Sequence, residues 1–236
     1  DKLIFKKDYC KILMKLAVDN LVEFKNSIKL NNKSNIAVYN FEDFIQEISE
    51  FVDWYLPFIL KRKLKKSFID NFYEIWTQKY NEIKLEFDTF SHKDFFCNNL
   101  FFLPNRKNHL KCGIIDYQDA IFSDNALDIV SLFEDSRRLI KNFNKNELIE
   151  FYLQKTNKFN QIENFDKKID FIGAARQTRI LGRWIKLYKL NKKKHYIQYI
   201  PSTWFWLEKN LENDFLFEIK KYYNELVPLE KRRYEY

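Results

Sequence analysis

The chain has 236 residues, 46% hydrophobic and 31% charged, which suits one large folded domain or two small ones. Its 18% aromatic content excludes a disordered chain, and its three glycines (Gly113, Gly173, Gly182) lie too far apart to build a phosphate-cradling loop. A formal charge of +8 permits anionic partners without selecting one, and most of the excess is Lys on helical stretches, as a solvated surface carries it.

Apolar residues at Phe5, Tyr9, Ile12, Leu13, Leu16, Leu21 and Phe24 recur every three to four positions and predict an amphipathic helix, followed by a polar loop at 31–35. Asn40 then has the character of an N-cap, with Glu42 and Asp43 in the first turn behind it. Phe41, Phe44, Ile45, Ile48, Phe51, Val52 and Tyr55 share one face of that helix, which Pro57 ends or bends. A third helical pattern runs through Phe68, Phe72, Ile75, Trp76 and Tyr80. From Leu85 to Tyr117 the pattern changes to short apolar runs, 100–103 and 112–115, separated by a turn-like stretch at 104–108, which predicts two short strands joined by a loop. After Asp119 the sequence reads as helical to its end. One helix is predicted over 127–139, another begins at Asn144 with Glu147 in capping-box spacing, a long one spans 165–190, and two more surround Trp204 and Phe217. No repeat or low-complexity linker marks a domain boundary. The predicted class is mostly α with a small β-hairpin insertion.

Cys10, Cys97 and Cys112 share no metal-ligand spacing, and three scattered thiols fit a reducing, cytoplasmic setting better than a disulfide scaffold. No apolar run approaches the length of about 18 residues that a spanning helix needs, and no nucleic-acid module pattern occurs. Neither a membrane nor a nucleic acid is an expected partner; a small-molecule substrate is.

The β insertion holds the residues that carry chemistry. Its first part contains His92-Lys93-Asp94 and then Asn99, an H-x-D-x4-N pattern; its second ends the apolar run Gly113-Ile114-Ile115 with Asp116, 22 residues beyond Asp94. Phosphoryl transfer to a hydroxyl needs one Asp beside the attacking oxygen, and a further Asp and Asn to hold the metal ions that bridge the phosphates. One short hairpin can present all three. Gln118 and Asp119 either face the substrate or cap the next helix. Arg176, Arg179 and Arg183 fall on one helical face, either as a solvated stripe or as an anion clamp for a carboxylate or phosphate. Trp184, Tyr188, Trp204 and Trp206 can stack on a sugar ring, although aromatics at this spacing more often form core.

These residues resemble the catalytic loop and metal-binding segment of the aminoglycoside phosphotransferase-like, or choline-kinase-like, small-molecule kinases. The similarity is closer to the bacterial anomeric kinases of N-acetylmuramate and N-acetylglucosamine. Besides the H-x-D loop and the run 115–120, it rests on Asp53-Trp54-Tyr55-Leu56-Pro57, on 127–132, on Gly173-Ala174-Ala175-Arg176 with Ile180-Leu181-Gly182, and on Ile200-Pro201. The resemblance implies that residues 1–236 form the C-terminal lobe of a protein-kinase-like fold. It implies a catalytic hairpin at about 85–120, a helical substrate-binding part at about 121–236, and a nucleotide-binding N-terminal lobe in cis that lies outside this chain. By the same resemblance ATP and Mg2+ are the cofactors, Asp94 is the catalytic base, and Asn99 and Asp116 bind the metal and its nucleotide. His92 braces the loop and Asp128 ties it down. The turn Phe122-Ser123-Asp124-Asn125 departs from the family pattern of a Gly-containing turn.

Overall fold

The computed structural model describes residues 3–27, 35–140, 142–156 and 162–233. Residues 31–34 of the predicted polar loop lie outside the described residues. The chain forms two compact units, each assembled from two separate stretches: residues 1–39 with 86–169, and residues 40–85 with 170–236.

The first unit is organised by α1 (Lys7–Asn26). Cys10, Met14, Val18, Leu21 and Val22 recur at helical spacing and are buried along one face. The β insertion is larger than the predicted hairpin, because two sheets form. One is the expected pairing of β2 (Leu100–Phe102) with β3 (Cys112–Ile114), antiparallel with Leu100 opposite Ile114. The other joins β1 (Thr89–Ser91) to β4 (Ile121–Ser123), also antiparallel, with Phe90 opposite Phe122. A strand therefore follows Asp119 where a helix was predicted. The segment before residue 40 lies alongside β4, since Phe122 N–H donates to the Ala37 carbonyl (2.9 Å) and Tyr39 N–H to the Phe122 carbonyl (2.8 Å).

Helix α5 is shorter than predicted, Leu127–Phe133. Glu134 leaves helical geometry, and the Asp135 carboxylate accepts from Arg137 N–H at 2.9 Å, a local turn that competes with continuing the helix. Helix α6 (Lys145–Lys155) is capped by Asn144, whose side chain accepts from Glu147 N–H. Helix α7 (Ile162–Asn191) begins in this unit and ends in the second.

In the second unit α2 (Phe41–Glu50) starts with a reciprocal capping box: Asn40 Oδ1 accepts from Asp43 N–H and Asp43 Oδ2 accepts from Asn40 N–H. Pro57 does not end this helix. The wide π turn Phe51–Tyr55 precedes it, with Leu56 N–H donating to the Phe51 carbonyl, and this accommodates the missing proline N–H. The chain then runs on through α3 (Leu56–Leu60) and stops at Lys61, which is left-handed (φ 54°). After α4 (Lys66–Ile83) the unit is completed by most of α7 and by α8 (Ile200–Asn210), α9 (Phe217–Leu226) and α10 (Leu229–Arg232).

Its core is aromatic. Phe51, Tyr55, Phe72, Trp76, Phe171, Trp204 and Tyr223 are essentially fully buried, and the polar handles of the large rings are matched to one another. Trp76 Nε1–H donates to Tyr223 Oη (3.2 Å), which also bonds Thr178 Oγ1 (2.8 Å), and Trp204 Nε1–H donates to Tyr55 Oη (2.7 Å). Gly182 sets the approach of α7 to the end of α2: a Cβ there would lie 2.1 Å from the Glu50 carbonyl oxygen, so no larger residue fits without a backbone shift.

Candidate active site

Between β1 and β2 the chain crosses His92–Asn99 with only a 3-10 turn at Cys97–Asn99 for regular structure. Such a segment keeps one conformation only if its backbone groups find partners elsewhere. The Asp128 carboxylate at the start of α5 supplies two of them, accepting His92 N–H at Oδ2 (2.9 Å) and Lys93 N–H at Oδ1 (3.0 Å). Ser131 Oγ, one turn further along the helix, reaches the Lys93 carbonyl at 3.4 Å. These bonds hold Lys93 in the left-handed region (φ 73°), and the half-buried Asp94 follows directly.

The His92 ring is wholly buried, edge-on to Phe95 and tilted against Phe24. Its Nε2 lies 3.0 Å from the Ile115 carbonyl. A carbonyl can only accept, so Nε2 carries a proton, and Nδ1 is buried without a hydrogen-bond partner. The imidazole therefore joins the H-x-D loop to the residue preceding Asp116.

Asn99 makes the second connection. Its Nδ2 donates to the Asp94 carbonyl (3.0 Å) and its own carbonyl accepts from Ile115 N–H (3.1 Å). Because Nδ2 is committed as donor, Oδ1 remains as the oxygen that can ligate. Asp116 is exposed and left-handed (φ 68°), a conformation that Asp tolerates better than most residues. Gln118 Nε2 donates to Asp116 Oδ1 at 3.0 Å, so Gln118 belongs to this cluster. Asp119 is exposed in the following turn, and β4 comes next, which leaves neither residue a helix to cap.

Asn99 and Asp116 offer a hard-oxygen pair suited to a cation that completes its shell with phosphate oxygens and water, as Mg2+ does. Among the described residues no three His, Cys, Asp or Glu side chains converge as an all-protein metal centre requires. Cys97 and Cys112 are buried, and burial pushes each thiol up to about 12, which leaves both inert as nucleophiles at neutral pH.

Behind the loop lies a charge network that the sequence reading missed. Asp124 Oδ1 accepts from Ala126 N–H and Oδ2 from Glu86 N–H, both at 3.0 Å, while Lys168 Nζ pairs with Oδ2 at 3.0 Å. Asp124 thereby fixes the turn that departs from the family pattern. Lys25, near the end of α1, is buried and donates to the Asn125 carbonyl and to Tyr152 Oη. Burial lowers the Lys25 pKa, opposed by attraction to Asp128 and Asp124. It raises that of Asp128, opposed first by the Lys25 charge. One signal existed in the sequence: Lys25 falls three residues after Val22 and four after Leu21, on the apolar face of α1.

The remaining candidates lie in the second unit. Arg176 is buried, Arg179 Nη1 lies 3.6 Å from Glu47 Oε1, and the exposed Arg183 pairs with Glu50 Oε1 at 2.8 Å, so the three do not form one solvated stripe. Trp184 and Trp204 are core, and Tyr188 and Trp206 are half-buried.

A mostly helical chain with two small antiparallel sheets, an H-x-D loop and an apolar strand leading to Asp116 defines the helical lobe of a kinase-like fold. The chain belongs to the ecdysteroid kinase-like family, whose sequence profile matches residues 13–163, from α1 to the start of α7. It is similar to the N-acetylmuramate/N-acetylglucosamine kinase of Caulobacter vibrioides (28% identical over 159 residues, 67% of this chain and 44% of that protein). It is also similar to the protein of the same description from Neisseria meningitidis serogroup B (24% over 228 residues, 93% of this chain and 62% of that protein). The chain thus spans about half the length of these relatives. Among the described residues no helix is long and apolar enough to cross a membrane.

Proposed function

We propose that this chain is the catalytic helical lobe of an ATP- and Mg2+-dependent phosphotransferase whose acceptor is a hydroxyl of a small molecule, an amino sugar of the N-acetylmuramate or N-acetylglucosamine type. One observation carries the reading: Asn99 bonds the Asp94 carbonyl with its amide and the Ile115 N–H with its carbonyl, linking the H-x-D loop to the segment that bears Asp116. The acceptor class is supported by the names of the two similar kinases.

In this reading the Asp94 carboxylate orients the acceptor hydroxyl and takes its proton as the new P–O bond forms and the bond to ADP breaks. Asn99 Oδ1 and the Asp116 carboxylate would hold the metal, which would supply charge neutralisation to the phosphates. Gln118, bonded to Asp116, keeps that carboxylate in one orientation. Asp119 is assigned to substrate binding, and the nucleotide is covered by a further lobe in cis.

The test is transfer of labelled phosphate from ATP by the full-length gene product to N-acetylmuramate, N-acetylglucosamine, kanamycin and an ecdysteroid. Transfer to an amino sugar, reduced roughly 10²–10⁴-fold by Asp94→Asn, is the expected result. Transfer to kanamycin or the steroid alone overturns the acceptor class. Binding of Mg-ATP with no transfer to any acceptor makes the protein a binding module that has lost turnover.

A further inference from the structure

We propose that the second unit carries a docking surface for an anionic phospholipid bilayer, made by two lysine-rich turns that emerge side by side. This goes beyond the phosphotransferase reading and does not depend on it.

The positive charge of the chain is not spread evenly. Residues 56–69 and 187–207 hold nine Lys and Arg and no Asp or Glu, so the formal charge of +8 resides on these two stretches and the rest is close to neutral. Five of the nine lie at 61–66, after α3, and four at 189–194, around the end of α7, and all are exposed. Their proximity follows from the packing of the two helices. Lys186 Nζ lies 6.0 Å from the Trp54 ring centroid, the Phe58 and Tyr188 rings meet edge-on at 5.9 Å, and Lys189 Nζ lies 5.3 Å from the Phe58 centroid. With 54 beside 186 and 58 beside 188 and 189, the two segments run in the same direction and end on the same side. Each ends on a left-handed lysine, Lys61 (φ 54°) and Lys192 (φ 56°), and Lys193 N–H donates to the Leu187 carbonyl at 3.3 Å, closing the second turn over α7.

A solvated face normally intersperses both signs of charge. Lys186 still reaches Glu50 at 3.3 Å, but beyond it neither stretch supplies a carboxylate. A like-charged cluster of this size destabilises the fold by self-repulsion, which an anionic surface relieves. The residue types select a bilayer over nucleic acid. Eight of the nine are Lys, a point charge that any phosphate satisfies, whereas nucleic-acid sites favour Arg forks and stacking rings. Leu190 (60% exposed) and Phe68 (40% exposed) stand on the same stretches and offer apolar side chains to the headgroup region. Attachment of this kind lies on a membrane and needs no spanning helix.

The experiment is sedimentation of the full-length protein with vesicles of phosphatidylcholine alone and of equimolar phosphatidylcholine and phosphatidylglycerol, at about 0.1 and about 0.5 M NaCl. Wild type is compared with the triple variant Lys61→Gln, Arg62→Gln, Lys63→Gln and with the triple variant Lys192→Gln, Lys193→Gln, Lys194→Gln. A control triple on the exposed surface of the first unit, Lys11→Gln, Lys15→Gln, Lys155→Gln, lowers the net charge equally. Wild type is expected to bind the mixed vesicles at low salt, to release them at high salt, and to ignore phosphatidylcholine. Each of the first two triples is expected to weaken binding about 10- to 100-fold, and the control less than about threefold. Circular dichroism melts separate loss of binding from loss of folding. Equal losses in all three triples reduce the effect to net charge and overturn the inference, as does binding to phosphatidylcholine alone. Absence of vesicle binding also overturns it, and salt-sensitive binding of poly-uridylate in that case assigns the face to nucleic acid instead.

Discussion

The H-x-D loop region and the aromatic core of the second unit both bury rings, but their backbones are held in place by different means. Around Phe51, Phe72, Trp76 and Tyr223, helices pack ring against ring, and hydrogen bonds serve mainly to satisfy the polar tips of those rings. Around His92 and Asp94, short strands and an irregular loop also bury rings, Phe90, Phe95, Phe96 and Phe122, but only a 3-10 turn gives the loop regular backbone bonds. Their shape comes from side chains that reach the backbone: Asp128 to two N–H groups, His92 to Ile115, Asn99 to Asp94. Apolar packing stabilises without direction, whereas a bond to one N–H or carbonyl specifies direction. A segment that must present a carboxylate at a set angle is built the second way.

The contrast is broken most severely from the aromatic side. Trp76→Ala removes a ring 1% exposed, together with the donor to Tyr223, and is expected to cost about 3–5 kcal/mol in urea unfolding followed by circular dichroism. A smaller and more local loss is expected from Asp128→Ala, which leaves the His92 and Lys93 N–H groups without an acceptor, at about 1–3 kcal/mol, mostly from the buried His92 N–H because the Lys93 N–H is part-buried. Faster amide hydrogen exchange confined to the loop, not spread through α4 and α9, is the mark of a directional site. Gly182→Ala probes close packing alone: its Cβ meets the Glu50 backbone, and a loss of about 1–3 kcal/mol by the same unfolding assay is expected.

The smallest effect is electrostatic. Lys79 bridges Glu82 (3.1 Å) and Glu218 (3.0 Å), and hydrogen bonds, from Gln78 and Lys79 for the first and from Lys79 for the second, hold both carboxyls below their usual value. Carboxylates depressed in the folded state contribute stability that is complete above about pH 5 and is lost as pH falls through their folded values. Lys79→Met should remove that part of the acid limb, by less than about 1 kcal/mol because both carboxylates face solvent. Unfolding midpoints at pH 3, 4 and 7 check it: a difference between wild type and variant that is as large at pH 3 as at pH 7 refutes the assignment.

What the sequence made legible follows the same division. Apolar spacing was enough to find α1, α2, α4 and α7, although in α1 the spaced residues Tyr9 and Ile12 are exposed and the buried face runs instead through Cys10, Met14, Val18 and Leu21. Strands β1 and β4 left no such trace: each is three residues long, and Ser91 finds Ser123 at a separation of 32 residues. The end of α5 escaped because Leu139 and Ile140 continue the apolar spacing, while the turn at Asp135 depends on one side-chain bond. In the candidate site the sequence pointed to Asp94, Asn99 and Asp116, and the structure brings the Asn99 amide to the Asp94 carbonyl. Their supports were not legible. Lys25, Asp124 and Lys168 look like surface charges in one dimension, and only tertiary contact shows that Lys25 and Asp124 are buried and that Lys168 pairs with Asp124.

Asp116 carries one more consequence, for how this chain can change over evolution. Its left-handed backbone narrows the residues that can stand there, since β-branched side chains are strained in that region whereas Gly and Asn are tolerated. Its exposure means that little packing is lost when the carboxylate goes. A single-base change from an Asp codon to an Asn or Gly codon would therefore leave the fold standing while removing the charge. Silencing the site without unfolding the lobe is the shortest mutational route open at this position, and a descendant that keeps the shape for another purpose is one step away.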